Sequence, residues 1–184
     1  MQKLPRLLIG SLVVTMFVAV ASGAPLRTLS GHVQPQAARL PAVGRVDVSQ
    51  RLNLAIGLPL RNQAQLTQAL NQIYDPASPN WHHYLSVEQF TEQFGPTTND
   101  YELVADFARK SGFTITGRPS NRMILQVNAT VGQIEAAFHL RLNQYQHPTE
   151  NRIFFAPDTE PSVDAALPIL HISGLDNYRL PRPG

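Results

Sequence analysis

The chain has 184 residues, 43% of them hydrophobic, with no cysteine and a formal charge of +2. That length supports one domain with a real core plus tails, and the missing cysteines exclude disulfides, thiolate chemistry and cysteine-based zinc sites. There are 15 basic and 13 acidic residues; Lys3 and Arg6 account for the excess, and the remaining basic residues are scattered singly, which excludes a nucleic-acid partner.

Lys3 and Arg6 precede an apolar run from Leu7 to Ala21, and Ala19-Val20-Ala21 has the small residues of a cleavage site. Residues 1–21 therefore read as a secretory signal peptide cleaved after Ala21. The run is too short for a stable membrane anchor, because Ser22-Gly23-Ala24-Pro25 ends it. Residues 22–44 mix Pro, Gly, Gln and Arg without an apolar period and read as a flexible leader.

The folded part is expected from Arg45. Leu52, Leu54, Ile56 and Leu58 alternate with Asn53, Ala55 and Gly57, a period of two that predicts a strand with one buried face, stopped by Pro59. Asn62 then caps a helix carrying Leu66, Ala69, Leu70, Ile73 and Tyr74 at helical spacing, ended by Asp75-Pro76. Ser86 and Gln89 form a capping box for a short helix with Phe90 and Phe94, closed by Gly95-Pro96. Thr97 and Asp100 open a third helix that buries Leu103, Val104, Phe107 and Ala108, and Ser111-Gly112 terminates it after Arg109 and Lys110.

Phe113 to Thr116 and Met123 to Val127 are rich in strand-forming residues and flank a hairpin-type connection, 117–121. Thr130 and Gln133 make another capping box, for a helix with Ile134 and Phe138 inward. Leu140 to Gln146 and Arg152 to Ala156 read as a further strand pair joined by 147–151. Ile169 to Leu175 supplies a last strand, and 179–184 is a Pro-rich tail. The order predicts an α+β fold: an antiparallel sheet with helices on one face, in the split βαβ (ferredoxin-like) arrangement.

Chemistry is sparse along this chain. Ser111 and Ser173 precede Gly in what read as a helix stop and a strand end, with no Gly-x-Ser-x-Gly elbow. Glu102 and Asp106 lie four apart on a helix, as do Glu88 and Glu92, which would suit paired carboxylates for acid–base work. The same spacing is what a solvated helix face supplies, and Arg109 and Lys110 are within reach of Asp106. His82-His83 are adjacent and ill placed to share one ion, so neither a metal nor a cofactor is assigned. His139, His147 and His171 read as ordinary hydrogen-bonded positions that retain a pH-sensing capacity.

The punctuation carries a resemblance. Tyr74-Asp75-Pro76-Ala77-Ser78-Pro79-Asn80-Trp81-His82-His83-Tyr84-Leu85-Ser86 runs into Glu88-Gln89-Phe90 and Phe94-Gly95-Pro96, and is followed by Arg122 to Val127, Gln133 to Phe138 and Gly174-Leu175-Asp176-Asn177. This ordered series resembles the activation (pro) domain of the kumamolisin and sedolisin serine-carboxyl peptidases, with Trp81 where that family usually has Tyr. The likeness covers 45–178, with 179–184 as the start of a linker. It implies an open sheet that packs on a peptidase catalytic domain, a linker in the active-site cleft, and a module that assists folding and blocks activity until acid-triggered self-cleavage. Trp81, His82, Tyr84, Phe94, Asp176, Asn177, Tyr178 and Arg179 are the candidate family-motif and peptidase-contact residues. The family's catalytic domain would follow the linker, so no catalytic role is carried onto Glu102 and Asp106. Three functions are thereby set out: a secreted pro-domain acting in cis as chaperone and inhibitor, a secreted inhibitor acting in trans, and a hydrolase using Glu102 and Asp106.

Overall fold

The computed structural model of the chain describes residues 24–180. The expected signal segment with its cleavage site at Ala21, and the tail 181–184, lie outside these residues. The main sheet has four antiparallel strands in the order β4-β5-β3-β9, formed by β3 (Arg51–Gly57), β4 (Thr114–Gly117), β5 (Ile124–Thr130) and β9 (His171–Ser173). Two helices, α3 (Thr98–Lys110) and α4 (Val131–Phe138), pack on the sheet. Together they trace β3-α3-β4-β5-α4-β9, the split βαβ order in an α+β fold, with other elements inserted.

Alternation decides the faces. Leu52, Leu54 and Ile56 of β3 and Leu125, Val127 and Ala129 of β5 are buried, and they meet Val104, Ala105 and Ala108 of α3 and Ile134 and Phe138 of α4 in one cluster. Three capping boxes set the helix starts as the sequence predicts. Ser86 with Gln89, Thr97 with Asp100 and Thr130 with Gln133 each exchange side-chain bonds with backbone N–H groups.

Two buried faces differ from expectation. On α3, Leu103 is 44% exposed, and the inward stripe is Tyr101, Val104, Ala105 and Ala108, with Phe107 partly buried beside it. On α1 (Gln63–Tyr74) only Ile73 is buried, while Leu70 and Tyr74 are 46% and 65% exposed. This helix leans on α2 (Val87–Phe94) through its N-terminal approach. Arg61 donates to the Glu92 carbonyl at 2.8 Å and to the Gly95 carbonyl, and Asn62 donates to the Gln93 carbonyl at 2.9 Å. The expected cap of α1 by the Asn62 side chain is not formed; that side chain satisfies the end of α2, and Asn62 adopts a left-handed φ of 51°.

The expectation of a flexible leader is corrected over residues 24–44. β1 (Leu26–Thr28) pairs with β8 (Ser162–Asp164), a 3-10 turn spans Ala37–Arg39, and β2 (Gly44–Arg45) pairs with β6 (Leu142–Gln146). Leu29 and Val46 join the main core. The segment looked unstructured because its strands are two or three residues long, too short to print a period. β6 also pairs with β7 (Ile153–Pro157), giving a three-stranded sheet with its own small cluster of Ala37, Tyr145, Phe154 and Ala156. Among the described residues no helix is long and apolar enough to cross a membrane.

Gly174 ends β9 with φ +97°, and a Cβ there would meet the Asn53 carbonyl oxygen at 2.5 Å. Gly174→Ala is therefore expected to cost about 1–3 kcal/mol, from left-handed strain and from pushing β9 off β3. A urea midpoint unchanged from wild type would contradict this.

Candidate docking surface and C-terminal anchor

Because α3 and α4 cover one side of the main sheet, the other side is left open. Its residues are the out-of-phase partners of the core: Asn53, Ala55 and Gly57 on β3, and Gln126 and Asn128 on β5. Asn128 donates to Asn53 Oδ1 at 2.7 Å across the strand pair, and Arg51 donates to the side-chain oxygen of Asn128. A shallow groove across the centre is lined by Asn53, Ala55, Thr116, Gln126 and Ser173. Apart from the exposed Ile124 at the start of β5, the face is small and polar, rich in donors and acceptors. It can pair with the polar surface of a partner without exposing a hydrophobic patch beforehand.

Trp81, His82 and Tyr84 come together on the loop between α1 and α2. The Trp81 and His82 rings stack at 3.9 Å, and His82 and Tyr84 lie 6.0 Å apart and nearly parallel. The loop is held by Asp75 Oδ1 accepting from Ala77 N at 2.9 Å, by Asn80 donating to Gln72 Oε1 at 2.9 Å, and by His82 N donating to the Ile73 carbonyl at 3.1 Å. All three rings are exposed, with Tyr84 at 64%. Phe94 does not belong with them as a contact. It is 3% exposed and packs on Phe90 at 5.5 Å, so of the two roles open to Phe94, family motif or peptidase contact, packing within the motif is the one its burial favours.

Asp176, Asn177 and Tyr178 form a separate group that fixes the C-terminal exit of the chain. Asn177 Oδ1 accepts from Phe155 N at 2.6 Å and its own N–H donates to the Phe155 carbonyl at 3.2 Å, which extends β7 sideways. Asp176 accepts from Tyr178 N at 3.0 Å and from Gln34 Nε2 at 3.2 Å. The Tyr178 ring stacks on His147 at 4.7 Å and meets Phe154 edge-on at 5.0 Å. Arg152 closes the arrangement by donating to the carbonyls of Asn177, at 2.9 Å, and Tyr178. Arg179 beyond them is exposed. Sequence reasoning missed Arg152 as an anchor because its carbonyl partners lie 25 and 26 residues away, and it read His147 only as a hydrogen-bonded histidine; the aromatic pair Tyr145 and Phe154 in two facing strands is a usable signal.

The carboxylate pair on α3 is bound into surface ion pairs. Glu102 accepts from Arg118 and lies 3.6 Å from Arg109, which also pairs with Asp106, and both acids are about half exposed. Held by guanidinium groups in water, they sit on a solvated helix face and not in the kind of buried site that acid–base work by a carboxylate pair requires. Among the described residues no group of three or more His, Asp and Glu is arranged to hold a metal ion.

The family model of the pro-kumamolisin activation domain matches residues 39–178. Xanthomonalisin from Xanthomonas sp. (strain T-22) is 29% identical over 126 residues, covering 68% of this chain and 15% of that protein. Sedolisin from Pseudomonas sp. (strain 101) is 31% identical over 94 residues, 51% of this chain and 16% of that protein. Physarolisin from Physarum polycephalum is 31% identical over 124 residues, 67% of this chain and 21% of that protein. The chain thus spans between 15% and 21% of the length of these relatives. With its split βαβ core and an activation-domain match over most of its length, the chain belongs to the pro-kumamolisin activation-domain family, the propeptides of sedolisin-type peptidases.

Proposed function

We propose that this chain is the exported propeptide of a sedolisin-type serine-carboxyl peptidase, acting as folding assistant and inhibitor of the catalytic domain. The observation that carries this reading is the uncovered polar face of the β4-β5-β3-β9 sheet, opposite a face fully occupied by α3 and α4. A surface that binds the folded peptidase and not its unfolded chain stabilises the fold by mass action. The exit at Tyr178, tied down by Arg152, gives 179–184 a fixed starting point as an extended segment for a substrate groove. The exposed Trp81, His82 and Tyr84 stack offers a second contact with low ordering cost. Lys3, Arg6, the apolar run to Ala21 and its small-residue end support export through a signal peptide, to a periplasmic or extracellular location.

The test is to mix the purified chain with the catalytic domain of a sedolisin-type peptidase. The expected outcome is a slower initial rate of peptide hydrolysis, saturating near one chain per peptidase, and a higher yield of active peptidase when the catalytic domain is refolded in its presence. Full hydrolysis at saturating chain, together with an unchanged refolding yield, would overturn the reading.

A further inference from the structure

β9 is the last strand of its sheet, so its outer side presents backbone groups with no strand to receive them. One of these, the Ile172 N–H, donates to a side chain instead: His32 Nε2, at 3.0 Å. His32 arrives on the segment that follows β1, outside the 39–178 matched by the family model, and is only 4% exposed. Its other ring nitrogen, Nδ1, lies 2.9 Å from the Leu29 carbonyl, to which it donates. An acceptor at Nε2 and a donor at Nδ1 assign the neutral tautomer protonated at Nδ1.

The segment is held by polar ties to β8, to the connection before it and to the approach to β9, and by Leu29, which is buried in the main core. β1 makes a ladder of three residues with β8. Arg27 donates to the carbonyls of Leu167 and Ile169 at 2.9 and 2.8 Å, just ahead of β9. Glu160, on the connection between β7 and β8, accepts from the N–H groups of Gly31, His32 and Val33 at 3.0, 2.8 and 3.4 Å. Its Oε2 lies 3.5 Å from His32 Nδ1. From β9, His171 stacks on the His32 ring at 4.3 Å.

We propose that residues 26–33 are a proton-released strap on the edge of β9, shut by neutral His32 and opened, ahead of the sheet and helices, when a proton reaches Nε2. The added proton sets N–H against N–H across 3.0 Å and strands the Ile172 amide in a buried position. It also places a cation in a dry site against a second imidazole. Glu160 pulls the other way, since a carboxylate near Nδ1 favours the charged ring. Burial outweighs it: desolvation, opposed by the Leu29 carbonyl and Glu160 and reinforced by His171, holds the His32 pKa below the ordinary histidine range. Desolvation raises the Glu160 pKa, but the three N–H donors outweigh it and hold that carboxyl below its usual range, so the Glu160 tie resists acidification.

The pH dependence follows from the sign of the His32 shift. In the open strap His32 titrates as an exposed imidazole near about pH 6.5. Above that pH both states carry a neutral ring and the closed strap loses nothing. Below it the open state binds the proton more tightly, so the ratio of open to closed rises roughly tenfold per pH unit until the closed ring also titrates. An open strap leaves the outer edge of β9 free for another strand.

Hydrogen exchange of the whole chain tests this without any peptidase. Labelling is done from about pH 7.5 to about pH 4.5, with times corrected for intrinsic exchange, and strap and β9 peptides are compared with α3 and β5. The expected result is protection of 26–33 and of the Ile172 amide falling roughly tenfold per pH unit below about 6.5, while α3 and β5 stay protected. His32→Gln, a neutral side chain at all these pH values, is expected to abolish the slope. Strap protection that is flat with pH, that falls together with β5, or that keeps its slope in His32→Gln overturns the proposal. Should His32→Gln fail to fold, nitrogen-15 shifts of the wild-type ring decide. Protonation at Nδ1 at neutral pH supports the strap, and protonation at Nε2 ends it.

Discussion

Phe138→Ala is expected to lower the folding free energy by about 3–5 kcal/mol, the range for removing a buried aromatic ring from a core that cannot collapse around the gap. Phe138 closes the last turn of α4 and has no exposed surface. Its ring lies 5.9 Å from Phe107 and 5.8 Å from Phe113, so three aromatic rings from α3, α4 and the approach to β4 meet at one point. His139 follows in a left-handed conformation with φ 56°, and Glu135, on the same helix, pairs with Arg45, so the backbone around the gap is pinned on both sides. Phe107→Ala removes a partly exposed ring and is expected to cost about half as much. The check is urea denaturation: a shifted midpoint with an unchanged slope. A loss below about 1.5 kcal/mol at Phe138 would mean that α4 does not anchor the core.

Which parts of this structure the sequence disclosed depends on how local the cause is. The capping boxes at Ser86 and Thr130 formed as read, and the helix start read at Thr97 with Asp100 is a third, because each is settled within four residues. β3 was legible because a seven-residue strand with one wet face prints a period of two, and β5 was legible from its strand-forming residues, although it runs to Thr130, past the expected Val127. The family motifs pointed to the Trp81 loop and the segment from Asp176 to Tyr178, but motifs do not say which residues face outward. Phe94 lay inside the core, and Asp176 and Asn177 spend their side chains on Gln34, Tyr178 and Phe155. The face of α1 was read as core from its leucine spacing, yet spacing does not name a partner, and Leu70 and Tyr74 found none in this domain. The strap was the least legible part. Its polar contacts through Arg27, His32 and Glu160 reach residues 127 to 142 positions away, and no local pattern announces them.

The docking face is tested most sharply at its smallest central residue. Ala55 sits on β3, opposite Gln126 of β5 on one side and Ser173 of β9 on the other, with its side chain on the open surface. Ala55→Glu leaves the new carboxylate free to reach water in the isolated domain, so folding stability is expected to change by less than about 1 kcal/mol. When that face is closed by a partner, the carboxylate is trapped without a cation in the middle of the interface. The neighbouring Asn53 is already partly occupied by its cross-strand bond from Asn128. Burying such a charge unpaired weakens association by roughly 100-fold or more, about 2.7 kcal/mol at the lower bound. The inhibition constant against a sedolisin-type peptidase reads this out, alongside a urea midpoint that certifies the fold. An Ala55→Glu chain that folds normally and inhibits as well as wild type would move the docking surface off the sheet. The exposed ledge of Trp81, His82 and Tyr84 would then be the remaining candidate.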